Sequence, residues 1–158
     1  MSKNEKPSWE EDMKLLLDKD AIRDVISRYA FNVDLGRMDN ILRLWTDDAE
    51  FITDAPGETI RIKGKSELRR FFLDAPERFK PAPQHLQIDL VITINADKAY
   101  AAGYQVIIVG RDNSFVLERC GFRAFYLIRV DDRWFINKTI SRSLENRAGC
   151  KEIIPEEW

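Results

Sequence analysis

Residues 84–143 read QHLQIDLVITINADKAYAAGYQVIIVGRDNSFVLERCGFRAFYLIRVDDRWFINKTISRS. Apolar and polar residues alternate with a period near two along most of this stretch. The alternation is interrupted at Asn95-Ala96-Asp97, Gly110-Arg111-Asp112-Asn113 and Asp131-Asp132. The pattern predicts long strands near residues 84–94, 98–109, 115–130 and 133–143. Connections this short cannot hold a crossover, so neighbouring strands run antiparallel as a meander.

Upstream the period changes to that of a helix. From Trp9 to Gly36, Ile22, Val25, Ile26, Tyr29 and Val33 form one apolar stripe, and Gly36 supplies a C-terminal stop. A second helix is expected from Met38 to Trp45 through Ile41, Leu42 and Trp45, ending at the polar break Thr46-Asp47-Asp48. Residues 49–53 and 59–63 read as a hairpin about Asp54-Ala55-Pro56-Gly57. A third helix starts at Gly64-Lys65-Ser66, buries Leu68, Phe71 and Phe72, and is limited by Pro76. Helices first and antiparallel strands afterwards give an α+β fold. A curved antiparallel sheet wrapped around three N-terminal helices leaves a conical cavity, a common place for a small molecule. The expected organisation is a tail at 1–8, one domain at 9–144 and a C-terminal tail at 145–158.

Composition narrows the partners. Lys and Arg number 25 and Asp and Glu 27 among 158 residues, a net charge of −2 that excludes a nucleic-acid binder driven by electrostatics. The longest apolar runs, such as Val106-Ile107-Ile108-Val109, suit strands and not a membrane span. Cys120 and Cys150 form no CxxC pair, and the start MSKNEKPSWEED carries no apolar signal, so a cytoplasmic location is expected. With His85 as the single histidine, no multi-imidazole metal site can be built from one subunit, and no metal is expected. Gly64-Lys65-Ser66 lacks the earlier glycine of a phosphate loop, since Thr59 stands there. Arg119, Arg123, Arg129 and Arg133 read as a solvated or dimer-contacting sheet face in preference to an anion site.

Three residues are candidates for chemistry. Tyr29 lies within the apolar stripe of the first helix, where its hydroxyl either meets a core partner or points into the cavity. Asp34 ends that helix, where the macrodipole disfavours a carboxylate and a compensating partner is needed. His85 opens the first long strand. Strict alternation groups it with Gln87, Asp89, Val91 and Thr93, opposite Leu86, Ile88, Leu90, Ile92 and Ile94, so it faces either cavity or solvent. A carboxylate beside the imidazole would fix its tautomer and make a pair able to move protons on a carbon acid.

Asp20-Ala21-Ile22-Arg23-Asp24-Val25-Ile26-Ser27-Arg28-Tyr29, Asp34-Leu35-Gly36-Arg37-Met38-Asp39 and Leu44-Trp45-Thr46-Asp47-Asp48-Ala49 resemble the opening of SnoaL-like proteins, in the nuclear-transport-factor-2-like superfamily. The similarity continues through Gln84-His85, Gly121-Phe122-Arg123 and Asp131-Asp132-Arg133-Trp134-Phe135-Ile136. The resemblance implies a cystatin-like α+β barrel that forms a homodimer or higher homo-oligomer, dimerising through its outer sheet face. Within the superfamily, Tyr29, Asp34 and His85 match the scytalone and bile-acid dehydratases. It thus implies a dehydratase or isomerase that uses no cofactor and acts on a small hydrophobic cyclic hydroxy-ketone. His85 would be the proton shuttle, Asp34 its orienter and Tyr29 a donor to the substrate oxygen. Where those enzymes carry a carbonyl-polarising tyrosine this chain has Thr53, and Gln105 replaces a second histidine, so Tyr104 and Arg142 are candidates for the electrophilic group. Trp45, Phe51 and Phe122 are expected to line the cavity. The superfamily also holds polyketide-type cyclases and non-catalytic binding or small-subunit modules, which remain alternatives.

Overall fold

The computed structural model describes residues 8–55, 57–74 and 82–157. Helix α1 (Trp9–Asp34) starts with a capping box: the Glu11 N–H donates to Ser8 Oγ at 3.3 Å and the Ser8 N–H to Glu11 Oε2 at 2.8 Å. Its C-terminal half is the buried half, through Ile22, Ile26, Tyr29 and Ala30. The chain reverses at Gly36, whose φ of +63° suits glycine, into the short α2 (Met38–Leu42).

Strand β1 (Trp45–Ala55) begins where the sequence suggests a helix end. Ile41, Leu42 and Trp45 have helical spacing, but Trp45 lies beside Ile136 in a parallel ladder instead. Strand β2 (Glu58–Lys63) and helix α3 (Lys65–Leu73) follow, near their expected bounds, whereas Pro76 lies outside the described residues. The four long strands are β3 (Pro83–Asn95), β4 (Lys98–Arg111), β5 (Ser114–Val130) and β6 (Arg133–Ser143), an antiparallel meander as expected.

The sheet order is β2-β1-β6-β5-β4-β3. The sheet is not wholly antiparallel as expected, because β1 pairs with β6 in parallel. Every element from β2 to β5 lies between those two strands in sequence, which supplies the long connection a parallel pair needs. The sheet curves without closing, with β2 and β3 as its edges. Its concave face carries the core, in which Ile22, Ile26, Trp45, Leu68, Phe125 and Ile136 pack between sheet and helices.

The expected C-terminal tail is corrected by a further helix, α4 (Arg147–Ile153). Asn146 caps it by accepting the Gly149 N–H at 2.9 Å. Ile153 completes a small cluster with Ile52, Ala102, Ala124 and Ile140. This cluster is on the convex face, away from the main core. No helix among the described residues is long and apolar enough to cross a membrane.

One irregularity positions the site. In β3, Ile88 pairs with Tyr104 and Val91 with Ala102, so Asp89 and Leu90 together oppose Gly103. This is a β-bulge, and Asp89 takes a φ of +54° to form it. A Cβ at residue 103 would stand 2.5 Å from the Ile88 carbonyl oxygen, so the bulge seats against a glycine. The extra residue reverses the facing of the strand. His85 and Gln87 point to the concave side before it, and Leu90, Ile92 and Ile94 do so after it.

Candidate active site

A cavity of about 790 Å³ opens between the C-terminal end of α1, α3 and the concave sheet. Tyr29, Asp34, Phe51, Thr53, His85, Gln105 and Arg123 are in its wall.

The last residue of α1 meets the first turn-in of β3. Asp34 Oδ1 lies 2.6 Å from His85 Nδ1, and Asp34 Oδ2 accepts the His85 backbone N–H at 2.9 Å. These two contacts are the compensation that a carboxylate at a helix C-terminus requires. An ionised carboxylate only accepts, so the ring proton resides on Nδ1. In the neutral ring this leaves the lone pair on Nε2, on a residue that borders the cavity.

Tyr29 is 2% exposed, and its hydroxyl accepts a hydrogen bond from Arg123 Nη1 at 3.1 Å. Burial pushes the phenol above its ordinary value, against the opposing pull of the Arg123 charge, and Asp34 adds to the rise. Tyr29 is therefore protonated at neutral pH and keeps its own O–H for donation. The structure thus brings Tyr29, Asp34 and His85 into one wall.

The other expected residues divide. Phe51 borders the cavity, but Trp45 stands behind it in the core, with ring centroids 6.4 Å apart. Tyr104 and Phe122 do not border it: they stack on each other across β4 and β5 on the convex face, and Tyr104 is 44% exposed. Arg142 shares that face and donates to Asp54 Oδ1 at 2.8 Å, so its charge is already neutralised. Thr53 does face the cavity.

The sequence reading of Arg123 as part of a solvated or dimer-contacting sheet face is corrected: it is buried, 5% exposed, in the cavity wall. Its guanidinium lies over Tyr29 and Phe51 at 5.7 Å each and over Phe125 at 6.0 Å. Gln105 is its neighbour. With the amide nitrogen donating to Ser141 Oγ, the Gln105 oxygen accepts from Arg123 Nη2 at 3.2 Å and Nε at 3.3 Å. The remaining arginines also have separate roles. Arg119 is in the cavity wall and donates to the Asp54 carbonyl oxygen, Arg129 pairs with Asp18 and Asp97, and Arg133 lies over the Phe135 ring. Parity was the available signal, since Arg123 alternates in phase with buried Phe125 and Leu127. Among the described residues no group of three or more His, Cys, Asp or Glu side chains is placed to hold a metal ion.

The family profile described as SnoaL-like domain matches residues 14–140. No curated protein sequence matches the chain. Among solved structures, it superposes on a nuclear-transport-factor-2-like protein with a cystatin-like fold from Novosphingobium aromaticivorans with a TM-score of 0.83, at 19% identity, covering 98% of this chain and 99% of that one. A second protein from that organism, provisionally named a scytalone dehydratase, gives 0.68 at 17% identity, covering 81% and 85%. A third, provisionally named an aromatic ring hydroxylase, gives 0.70 at 24%, covering 82% and 90%. Likeness at these identities establishes the cystatin-like fold, and the two names differ in reaction.

Proposed function

The chain belongs to the SnoaL-like domain family, which includes dehydratases, isomerases and cyclases, and from that premise we propose that it is a dehydratase or isomerase working by His-Asp acid/base catalysis. The observation that carries this reading is the double contact of Asp34 with His85 in the wall of a cavity. The backbone contact alone would tie α1 to β3, whereas the ring contact also orients an imidazole at the cavity, which supports the catalytic reading over a silent carrier of the same fold.

The substrate is a hydrophobic cyclic hydroxy-ketone or a related metabolite. A volume near 790 Å³ is within the range of small-molecule pockets, and Phe51, Phe71 and Ile107 give it apolar walls. His85 Nε2 removes the proton α to the carbonyl, and the electron pair moves onto the carbonyl oxygen, which the Tyr29 hydroxyl supports. Asp34 stabilises the imidazolium that forms. In dehydration the enolate collapses to expel the β-hydroxyl, which takes the proton from His85 and departs as water. In isomerisation of a β,γ-unsaturated ketone the electron pair is delocalised as a dienolate, and the same proton returns to the γ-carbon as the double bond moves into conjugation. Neither route draws on a cofactor.

The test follows exchange of the α-protons of 2-tetralone in deuterium oxide by proton NMR. Wild type is expected to exceed buffer, and His85→Ala to lose about 10²–10⁴-fold, the usual contribution of a positioned acid/base group. Equal rates for wild type and His85→Ala would sink the reading. Self-association is proposed to use the convex face, where Leu86, Ile88 and Tyr104 are exposed. A monomer mass in sedimentation at working concentration would reject it.

A further inference from the structure

Arg123 presents an unusual combination. Its guanidinium stays charged at any physiological pH, it is buried, and among the described residues no carboxylate forms an ion pair with it. Arg142, the other buried arginine among the described residues, on the opposite face of the sheet, shows the ordinary solution, a direct pair with Asp54. A buried charge without a counter-ion is costly, and ring faces and a neutral amide offset only part of that cost. The cost is retained at a position that borders the cavity.

The donor count sharpens the point. A guanidinium has five N–H groups. Tyr29 Oη takes one on Nη1, while Gln105 takes one on Nη2 and the one on Nε, so three are used. One N–H on each terminal nitrogen is left without a partner among the described residues. Gln105 is itself tied to Ser141, so the guanidinium is held in place before any ligand arrives.

We propose that Arg123 is an anion receptor in the cavity wall, built to take a negatively charged oxygen of the ligand. This rests on the cavity being the ligand site but not on proton transfer by His85. The charged oxygen has two sources: a carboxylate that the molecule already carries, or an enolate or acidic phenol whose ionised form the site stabilises. In either case the ligand has an apolar ring body against Phe51 and Phe71, with one anionic oxygen at Arg123 and the Tyr29 hydroxyl as second donor.

Titration calorimetry with two probe pairs tests this. 2-Naphthoate against its neutral methyl ester reads the carboxylate source. 4-Nitrophenol against 4-nitroanisole reads the other, with the ionised fraction of the bound phenol taken from its absorbance. In at least one pair, wild type is expected to prefer the anion by about tenfold or more, which corresponds to about 1.4 kcal/mol. The pair that shows it identifies the source. Arg123→Met is expected to abolish the preference while still binding the neutral probe, and Arg123→Lys to retain part of it. Arg119→Met, which removes the other cavity-wall arginine lacking a carboxylate partner, is expected to leave the preference intact, and it decides the matter should Arg123→Met not fold. Wild type without preference in either pair, a preference that survives in folded Arg123→Met, or one that disappears in Arg119→Met overturns the proposal. His85→Ala is expected to keep the preference, so failure of the catalytic reading and failure of this one are told apart.

Discussion

Asp34 grips residue 85 at two points, one on the ring and one on the backbone: Oδ1 is 2.6 Å from His85 Nδ1 and Oδ2 accepts the His85 N–H at 2.9 Å. The two contacts have separable consequences. The backbone contact ties the end of α1 to the start of β3 whatever side chain stands at 85, while the ring contact alone sets the tautomer. His85→Ala therefore removes an imidazole without releasing the strand, which makes it a clean variant for reading chemistry.

Asp34→Asn does the reverse. An amide has one accepting oxygen, and keeping the backbone bond turns its NH₂ toward Nδ1, which must then accept. The ring proton moves to Nε2, and that nitrogen loses its lone pair. Because the chain has a single histidine, nitrogen NMR of the ring reports this without ambiguity. We expect the two ring-nitrogen signals to exchange character and α-proton exchange to fall about 10²–10⁴-fold. Unchanged ring signals would show that Asp34 does not set the tautomer.

Tyr29→Phe removes one hydroxyl donor from the cavity. If the hydroxyl supports a developing oxyanion, turnover falls about 10²–10³-fold, whereas a purely structural hydroxyl leaves turnover almost unchanged. The stability signature is separate. Burial, opposed by Arg123 and reinforced by Asp34, raises the folded-state pKa above the ordinary 10.0, so the folded protein holds this proton after the unfolded chain has released it. The stabilisation is complete below pH 10.0 and is lost as pH rises through the folded value. Urea midpoints for wild type should thus fall above pH 10.0 more steeply than those of Tyr29→Phe.

Asp54 is a structural counterpart on the convex face. It accepts from Arg142 Nη1 at 2.8 Å, Asn146 Nδ2 at 3.1 Å and the Ser143 N–H at 3.2 Å, which joins β1 to β6 and to the cap of α4. Burial works to raise this carboxyl, but the hydrogen bonds from Asn146, Arg142 and Ser143, with the Arg142 charge, outweigh it and hold the group below 3.8. Asp54→Asn leaves the buried Arg142 charge with only the exposed Glu152 carboxylate, 4.0 Å away, as an ion-pair partner, at a cost of up to about 3–5 kcal/mol. The stabilisation is present above pH 3.8 and is lost as pH falls through the lower folded value, so the gap between wild type and variant should close in acid. A gap independent of pH would mean that the pair's charge is not what stabilises.

The parts of this molecule that follow from period alone were legible in the sequence. Strand β6 occupies residues 133–143, as its alternation predicts, and the meander follows from its short turns. Parity within one strand was equally informative: Tyr104 is out of phase with buried Gln105, and Phe122 with buried Arg123, which assigns the first of each pair to the opposite face. The expectation that Tyr104 and Phe122 enter the pocket runs against that parity. Trp45 was ambiguous for a physical reason, because a four-residue apolar spacing fits a helix until a parallel partner strand is known. The facing of His85 was not legible, because strict alternation fails at any bulge and no residue of β3 announces one.

The bulge therefore offers the last test. Asp89 has φ +54°, a left-handed conformation that costs an ordinary residue about 1–2 kcal/mol and glycine nothing. Asp89→Gly should retain stability and exchange activity, while Asp89→Val should lose about 1–2 kcal/mol. Deleting Asp89 is more telling. Ile92 is 5% exposed and packs in the main core with Ile94, so the half of β3 beyond the bulge is anchored. With one residue fewer, the half before it must turn over, which sends His85 to the convex side and Leu86 to the cavity. The deletion variant is then expected to fold, by its circular dichroism, yet to show a solvated histidine and no catalysed exchange. If its ring-nitrogen signals match wild type, the bulge is not what aims His85 at Asp34.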